Sequence, residues 1–182
     1  MAKILVVSDT HSDDGLPANL CLMRLIEGLK YDYIIHLGDI ISRKVLEQLS
    51  QFANRLIAVS GEADKLTLPD KELLDIEGLR ILMLHGHQKE IRGSRLRSIA
   101  DELKARVILM GHSHKAGVVD LGGIVMANPG TLTGYGNMPQ TWIEMEVNAG
   151  EALIQLKGCG GVLSTYRYGG YIRRAIDLLE LE

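Results

Sequence analysis

The sequence predicts an α/β fold whose first half is built on a mainly parallel sheet. Short apolar runs rich in β-branched residues at 4–7, 33–37 and 56–59 are typical of strands buried on both faces. Between these runs, apolar residues recur at intervals of three and four over 16–29 and 45–52, which is typical of helices that face a sheet. Strands and helices that alternate in this order favour right-handed βαβ crossovers, and therefore parallel strands.

The second half of the sequence is rich in predicted strands. Runs at 73–76 and 79–84 flank Glu77-Gly78, which predicts a hairpin leading into a buried strand. A helix is predicted at 99–103 and another buried strand at 107–110. Four further short runs are separated by turns rich in Gly and Asn, and they predict an antiparallel meander at 117–121, 124–127, 142–147 and 152–156. A parallel half and an antiparallel half can pack as two sheets face to face, with the helices outside.

The length of 182 residues corresponds to one ordinary domain. The sequence contains no internal repeat, low-complexity tract or linker, so residues 1–182 are predicted to form a single domain. Its last part, 158–182, is predicted to be a C-terminal extension in which a glycine-rich loop is followed by a helix. The glycines lack the strand–turn–helix context of a nucleotide-binding loop, which favours a loop docked on the surface over a ligand loop.

Composition argues against several classes of protein. The formal net charge of −3 provides no basic surface that would follow a nucleic-acid backbone, so stable nucleic-acid binding is not expected. No apolar run approaches the ~20 residues of a membrane span, and the N-terminus lacks a signal-peptide core. Cys21 and Cys159 lie far apart in no metal-ligand or redox spacing, which favours a reducing compartment over a disulfide framework. A cytoplasmic protein that does not bind a membrane is predicted.

Acidic and imidazole side chains stand where the predicted strands end. In chain order they are Asp9 and His11, Asp39, Glu62, His85, and His112 with His114. Because adjacent parallel strands deliver their following loops to one edge of a sheet, these side chains are expected to converge. Residues two apart in extended chain point the same way, so each Asp-x-His or His-x-His pair can face a common centre.

Converging carboxylates and imidazoles indicate a metal site. Like charges held close together raise one another's pKa values unless a positive charge lies between them. Oxygen and imidazole ligands without a thiolate favour Mn, Fe, Zn or Ni. One carboxylate can bridge two ions about 3.5–4 Å apart, and Asp39 is the candidate bridge. A single Asp or His at a strand end is more often a cap or a hydrogen-bonded core residue, but capping gives no reason for the whole ordered set.

The ordered set resembles the motifs of the calcineurin-like metallophosphoesterases, and the resemblance runs from about residue 2 to residue 156. The matching motifs are Ser8-Asp9-Thr10-His11, Gly38-Asp39, Gly61-Glu62-Ala63-Asp64, His85-Gly86-His87 and Gly111-His112-Ser113-His114. A further segment, Asn128-Pro129-Gly130-Thr131, is similar to the Asn-Pro-Gly-Ser of the small bacterial and archaeal phosphodiesterases in that family. Each motif is weak alone, whereas their order is specific.

This resemblance implies a four-layer α/β/β/α sandwich of two mixed sheets and a dinuclear centre, most often with Mn²⁺, although Ni²⁺, Fe, Zn²⁺ or Mg²⁺ also occur. By the family's pattern, one metal would be held by Asp9, His11, Asp39 and His114, and the other by Asp39, Glu62, His85 and His112. A hydroxide on the metals would attack phosphorus in a small phosphate ester, with a phosphodiester favoured over a monoester. The implied catalytic residues are Asp39 and His87, and the implied substrate contacts are Glu62, His87 and His112.

The chain departs from the family pattern at Glu62 and Ala63, where Gly-Asn is usually followed by His or Cys. A glutamate can ligate a metal, but it adds charge and cannot donate a hydrogen bond to a phosphate as Asn can. Because Ala63 cannot protonate a leaving group, His87 is the nearest candidate for a general acid, with a structural hydrogen bond as the alternative. His36 is interpreted as structural. The cluster that contains Arg92, Arg95 and Arg97 is interpreted as a solvated face rather than an anion contact.

Two other functions fit the same residues. The retromer subunit of similar fold is a scaffold for protein partners, and the Glu62-Ala63 pair suits a metal-binding module with weak catalysis. A purely structural metal clamp is the third reading. The enzyme is favoured because the six other ligand positions are retained, and a homo-oligomer is left open.

Overall fold

Two β-sheets packed face to face, with helices on their outer faces, make up the fold. The computed structural model describes residues 1–88, 94–169 and 176–177. In chain order the elements are β1 (Ala2–Val7), α1 (Cys21–Ile26), β2 (Tyr31–His36), α2 (Arg43–Ser50), β3 (Ala53–Ala58), β4 (Lys71–Ile76), β5 (Leu79–Leu84), α3 (Ser94–Glu102), β6 (Val107–Met110), β7 (Gly117–Asp120), β8 (Val125–Asn128), a 3₁₀ turn (Tyr135–Asn137), β9 (Thr141–Asn148), β10 (Glu151–Gly158), β11 (Gly161–Tyr168) and β12 (Ile176–Asp177). The predicted fold class is confirmed.

Both sheets are mixed. The larger has the strand order β12-β11-β10-β9-β1-β2-β3, in which β1, β2 and β3 are parallel and the strands on the other side of β1 are antiparallel. The smaller has the order β4-β5-β6-β8-β7, with β5, β6 and β8 parallel and an antiparallel strand at each edge. The parallel strands of each sheet therefore send their carboxyl ends to one edge.

The apolar runs of the central strands are continuous because both of their faces are buried. In β1, Ile4 and Val6 pack in the core between the sheets, whereas Leu5 and Val7 pack against α1 and α2. All four side chains are fully buried. Burial of each contributes about 1.5–3 kcal/mol, so a polar replacement on either face would destabilise the strand that precedes Asp9. On the second sheet, β5 and β6 alternate in the same way between the inner core and the core under α3.

Two predicted elements differ from the structure in extent or partner. The helix predicted at 16–29 is confined to Cys21–Ile26, because the segment around Pro17 forms a turn and Gly28 adopts a positive φ of 77°. The predicted meander is also wrong as a single unit. Strands β7 and β8 form a hairpin in the smaller sheet, whereas β9 and β10 form one in the larger sheet. The turns within each hairpin are marked by Gly and Asn in the sequence. The passage of the chain from one sheet to the other between β8 and β9 depends on long-range contacts, which no local pattern marks.

The described part of the C-terminal extension joins the larger sheet, although a loop was predicted at its start. Residues Gly161–Tyr168 form β11, which pairs antiparallel with β10 and buries Tyr166. Ile176–Asp177 pairs with β11 as β12, so the predicted helix is wrong at these two residues. The rest of that predicted helix lies outside the described residues. Thr165, Tyr166 and Tyr168 are residue types that favour strands, a signal that the neighbouring glycines obscured in the sequence.

A disulfide joins Cys21, at the start of α1, to Cys159, in the turn between β10 and β11. The two residues are separated by 138 positions in sequence, yet their Cα atoms lie 5.4 Å apart. The expectation that these cysteines favour a reducing compartment over a disulfide framework is therefore wrong. Among the described residues, no helix is long and apolar enough to cross a membrane.

Candidate metal centre

The loops that follow β1, β2, β5 and β6 meet at one edge of the two sheets. Backbone hydrogen bonds connect the first two loops, because Asp9 N–H donates to Gly38 O and His11 N–H donates to Asp39 O, each at 3.0 Å. The loops of the second sheet are joined in the same way, with Gly111 N–H donating to His85 O at 3.1 Å. The convergence predicted from the strand ends is present in the structure.

Four of the predicted residues form a tight cluster. Asp9, His11, Asp39 and His114 each offer one ligand atom, and these atoms all lie within 4.8 Å of one another. His11 Nε2 lies 3.3 Å from Asp39 Oδ2, and His114 Nε2 lies 3.2 Å from Asp9 Oδ1. The two imidazole Nε2 atoms lie 3.2 Å apart. Two carboxylates and two imidazoles directed at one point match the ligands that first-row divalent metals accept.

A second group lies on the other side of Asp39. His85 Nε2 is 3.4 Å from Asp39 Oδ2 and 3.9 Å from Asp9 Oδ1. Its other ring nitrogen, Nδ1, donates to Leu37 O at 2.7 Å, which leaves Nε2 as the lone-pair atom that faces the cluster. The His112 ring centroid is 5.3 Å from that of His85, and His112 Nδ1 is 3.6 Å from Glu62 Oε1. Glu62 stays more than half exposed.

Two buried atoms in the centre lack hydrogen-bond partners among the described residues, namely Asp9 Oδ1 and His85 Nε2. Both residues are 0% exposed. Leaving a buried acceptor unpaired costs about 1–3 kcal/mol, so native structures rarely tolerate it without a bound group. A cation between these atoms would satisfy both, and the oxygen and nitrogen donors fit Mn²⁺, Fe, Zn²⁺ or Ni²⁺.

The electrostatics of the centre are those of a charge-balanced cluster. Burial favours a raised pKa for Asp39, but the adjacent His85 imidazole and the hydrogen bond from Ala63 N–H outweigh it and lower its pKa to about 2. Burial lowers the pKa of His85, but the Asp39 and Asp9 carboxylates outweigh it and raise that pKa. Burial is also the main reason why the pKa of Asp9 is raised. Metal binding would displace protons from these groups, since ligands must be deprotonated.

Backbone strain is concentrated at the same residues. Asp9, His11, Asp39, His112 and His114 all have positive φ, between 43° and 67°. Such conformations are uncommon outside glycine and cost of order 1–3 kcal/mol each, although Asp and His tolerate them better than most residues. Strain that recurs at five of the predicted ligand positions indicates a functional site rather than five independent turns.

Comparison with known proteins also indicates that these residues form a functional site. Residues 2–150 match the model of the calcineurin-like phosphoesterase superfamily domain. The chain belongs to this superfamily. The matched segment contains all seven predicted metal ligands, and it ends just before β10.

Some relatives of this domain are named as phosphoesterases, and others are named as vacuolar sorting proteins. The probable metallophosphoesterase MJ0623 of Methanocaldococcus jannaschii is 36% identical over 133 residues, which cover 70% of this chain and 67% of that protein. Vacuolar protein sorting-associated protein 29 of Schizosaccharomyces pombe is 29% identical over 176 residues, or 93% of this chain and 94% of that protein. The structure of Vacuolar Protein Sorting 29 from Cryptosporidium parvum has a TM-score of 0.81 at 20% identity, and the match covers 93% of this chain and 98% of that one.

Asp64, whose role no local sequence pattern indicates, positions the loop that carries Asp39. Asp64 accepts hydrogen bonds from the backbone N–H groups of Ile40 at 2.7 Å, Ile41 at 2.9 Å and Gly61 at 2.8 Å. Gly38 precedes Asp39 at a φ of 99°, and a Cβ there would lie 2.7 Å from Gly61 N. The carboxylate of the Gly61-Glu62-Ala63-Asp64 motif and the glycine of Gly38-Asp39 therefore hold these two loops together.

The end of β8 and the segment that follows it also support the centre. Asn128 Nδ2 donates to Gly111 O at 2.8 Å, and Thr131 Oγ1 donates to Asp9 O at 2.8 Å. Farther along, the Tyr135 ring stacks on His11, with ring centroids 4.0 Å apart. Sequence reasoning missed Tyr135, because its partner lies 124 positions away by residue number (135 − 11) and no local spacing marks it.

The remaining predicted residues divide between the centre and its surroundings. The His87 ring lies 5.5 Å from the His85 ring and 6.4 Å from the His112 ring, and its buried Nδ1 has no hydrogen-bond partner among the described residues. His36 is buried; its Nδ1 accepts from Gly38 N–H, in agreement with a structural role. Arg97 donates to Leu121 O, Arg95 is exposed, and Arg92 lies outside the described residues.

Proposed function

We propose that this chain is a hydrolase that uses two divalent metal ions to cleave a small phosphate ester, with a phosphodiester favoured over a monoester. One observation carries the proposal: Asp39 Oδ2 lies 3.3 Å from His11 Nε2 and 3.4 Å from His85 Nε2, so one carboxylate oxygen faces imidazoles of both groups. The first ion would be held by Asp9, His11, Asp39 and His114, and the second by Asp39, Glu62, His85 and His112. Family membership supports the phosphoesterase chemistry.

Each group of side chains has its own part in this proposal. When bound, the two ions would lower the pKa of a water nucleophile and offset charge on the phosphoryl oxygens. Asp39, fixed by the hydrogen bond from Ala63 N–H at 2.9 Å, would set the position of both ions. His112 is partly exposed beside them and would contact an ester oxygen. His87, whose Nδ1 lacks a partner among the described residues, would pass a proton to the leaving alcohol.

Hydrolysis of generic esters in the presence of metal tests the function. With bis-p-nitrophenyl phosphate and p-nitrophenyl phosphate, we expect turnover in Mn²⁺, loss of turnover after EDTA, and recovery when excess Mn²⁺ is added back. Metal analysis of the Mn²⁺-loaded protein is expected to give two ions per chain. Turnover that survives EDTA, or that persists in an Asp9→Asn/His114→Ala variant, would contradict the proposal, because a contaminating phosphatase would then be its source.

A metal-binding scaffold is the second candidate. It is favoured by the alignment with vacuolar protein sorting-associated protein 29, which covers 93% of the chain, whereas the probable metallophosphoesterase MJ0623 aligns with 70%. The exposed Glu62 and the small Ala63 fit it as well. A scaffold would bind two metals in the experiment above and hydrolyse neither ester. Metal content and turnover together therefore separate the two functions.

Glu62→Asn is expected to raise kcat/KM for the diester about tenfold while weakening Mn²⁺ affinity. Glu62 Oε1 lies 3.6 Å from His112 Nδ1, so its negative charge stands beside the proposed phosphate contact. Asn removes that charge and adds an amide donor, and a hydrogen bond to a charged group contributes about 1.5–3 kcal/mol. Steady-state kinetics and a Mn²⁺ titration measure the two effects.

The conservative variant Glu62→Gln serves as the control. It removes the charge but keeps the length of the side chain, so it separates repulsion of the ester from the reach of the amide. A gain in Glu62→Asn that exceeds the gain in Glu62→Gln would show that the shorter reach of the Asn amide contributes beyond the removal of the charge. If Glu62→Asn instead loses turnover and one bound ion, the carboxylate of Glu62 is required as a ligand and the expected gain is wrong.

A further inference from the structure

Tyr135 stands at the mouth of the centre with an aromatic face beside two proposed metal ligands. Its ring stacks on His11 at a centroid distance of 4.0 Å and an interplanar angle of 23°. It also meets His114 edge to face, at 5.6 Å and 84°. Even so, Tyr135 is 50% exposed. The ring therefore borders the site on one side and solvent on the other.

The position of this ring is fixed by the loop that carries it. Tyr135 N–H donates to Thr131 Oγ1 at 3.1 Å, and the same hydroxyl donates to Asp9 O at 2.8 Å. Gly134 has a φ of 76°, and a Cβ there would lie 2.7 Å from Met138 O, so the turn before the tyrosine accepts only glycine. The loop is closed at its base where Thr141 N–H donates to Thr131 O at 3.1 Å. Tyr135 is thus held relative to the strand end that carries Asp9.

We infer that Tyr135 is a specificity-determining residue that selects phosphate esters whose alcohol group carries a planar aromatic ring. The inference rests on the proposed function, since it requires the phosphoryl group to lie among the proposed ligands. From there the organic part of an ester must leave the site towards solvent, and the Tyr135 ring borders that exit next to His11. A planar group can stack on an aromatic face, which a saturated group of equal size cannot do as well.

Stacking of a planar ring on an aromatic side chain contributes enough to measure. It is worth about 1–3 kcal/mol per base in nucleic-acid complexes, so a preference of about tenfold is expected. Leaving-group chemistry must be kept out of the comparison, because an aryl ester is intrinsically more reactive than an alkyl ester. Benzylphosphonate and cyclohexylmethylphosphonate meet this condition: they are not hydrolysed, they are similar in size, and only one of them is planar and aromatic.

Calorimetric titration of the Mn²⁺-loaded protein with these two phosphonates and with inorganic phosphate tests the inference. The wild-type protein and Tyr135→Phe are expected to bind benzylphosphonate about tenfold more tightly than cyclohexylmethylphosphonate. In Tyr135→Leu the ratio of the two Kd values is expected to fall to about 1. If Tyr135 only orients His11, Tyr135→Leu would weaken both ligands and leave the ratio unchanged, which would overturn the inference.

The phosphate titration distinguishes a failure of the role of Tyr135 from a failure of the proposed phosphoesterase function. Binding of phosphate without any preference for benzylphosphonate in the wild-type protein would overturn the role of Tyr135 and leave the proposed function standing. A Mn²⁺-loaded protein that binds neither phosphate nor either phosphonate would contradict the proposed function itself, and the selection by Tyr135 with it. Neither readout depends on turnover, so weak catalysis cannot mask the result.

Discussion

Asp39→Asn is expected to lower kcat/KM for a phosphate ester by about three orders of magnitude and to reduce the bound metal to one ion or none. Asp39 Oδ1 accepts a hydrogen bond from Ala63 N–H at 2.9 Å, so an asparagine would keep its carbonyl oxygen there. Its NH₂ group would then take the place of Oδ2, which faces His11 and His85. A donor directed at the cations cannot ligate them. Loss of one preorganised electrostatic contact already costs about 10²–10³-fold.

Kinetics with Mn²⁺ and elemental analysis of the same samples measure this effect. Asp75→Asn is the matched control, because Asp75 is an exposed carboxylate paired with Arg80 near the start of β5, the opposite end of the strand from His85. The control is expected to keep two ions and the full rate. Asp39→Asn protein that keeps both ions and more than a tenth of the rate would refute Asp39 as the bridging ligand.

The part of this centre that could be predicted from sequence is the part fixed by local pattern and by topology. Each buried strand ends where a polar residue interrupts an apolar run, as at Ser8-Asp9 and Gly38-Asp39, and parallel strands must end at one edge. Those two facts bring Asp9 and Asp39 together without knowledge of any long-range contact, whereas His85 follows a strand of the smaller sheet and reaches them only because the two sheets pack face to face. The continuous apolar run at 4–7 likewise predicted a strand buried on both faces, and Ile4 and Leu5 do face two different cores.

What could not be predicted depends on contacts between distant segments. The stacking of Tyr135 on His11 requires the crossing from β8 to β9 between the two sheets, which no periodicity records. The support from Asp64 requires knowledge of which N–H groups a loop leaves unpaired. The strand at Gly161–Tyr168 reads as a loop in sequence because its glycines stand at its ends, and only pairing with β10 makes it a strand. The disulfide belongs to the same class of contact.

Replacing both Cys21 and Cys159 by serine is expected to lower the free energy of unfolding by about 2–4 kcal/mol and the melting temperature by about 10 °C. The disulfide closes a loop of 138 residues, and the entropy that such a cross-link removes from the unfolded chain grows with loop length, to about 5 kcal/mol in the simplest model. It also joins α1 to the turn between β10 and β11, beyond the segment that matches the family model. Denaturant unfolding with and without a reductant measures the loss.

The reduced wild-type protein is the control, because it loses the cross-link without any change of sequence. Its free energy of unfolding is expected to match that of the double variant and to lie below that of the oxidised protein. Alkylation is expected to label two thiols only after reduction. Gln140 Oε1 accepts from Cys21 N–H at 3.0 Å, so this end of α1 keeps one contact with the strand region when the disulfide is absent. The loss should therefore appear as reduced stability rather than as a missing fold. Two thiols that react in the native protein before reduction would contradict the disulfide, and equal stability of oxidised and reduced protein would contradict its role in stabilising the sheet extension.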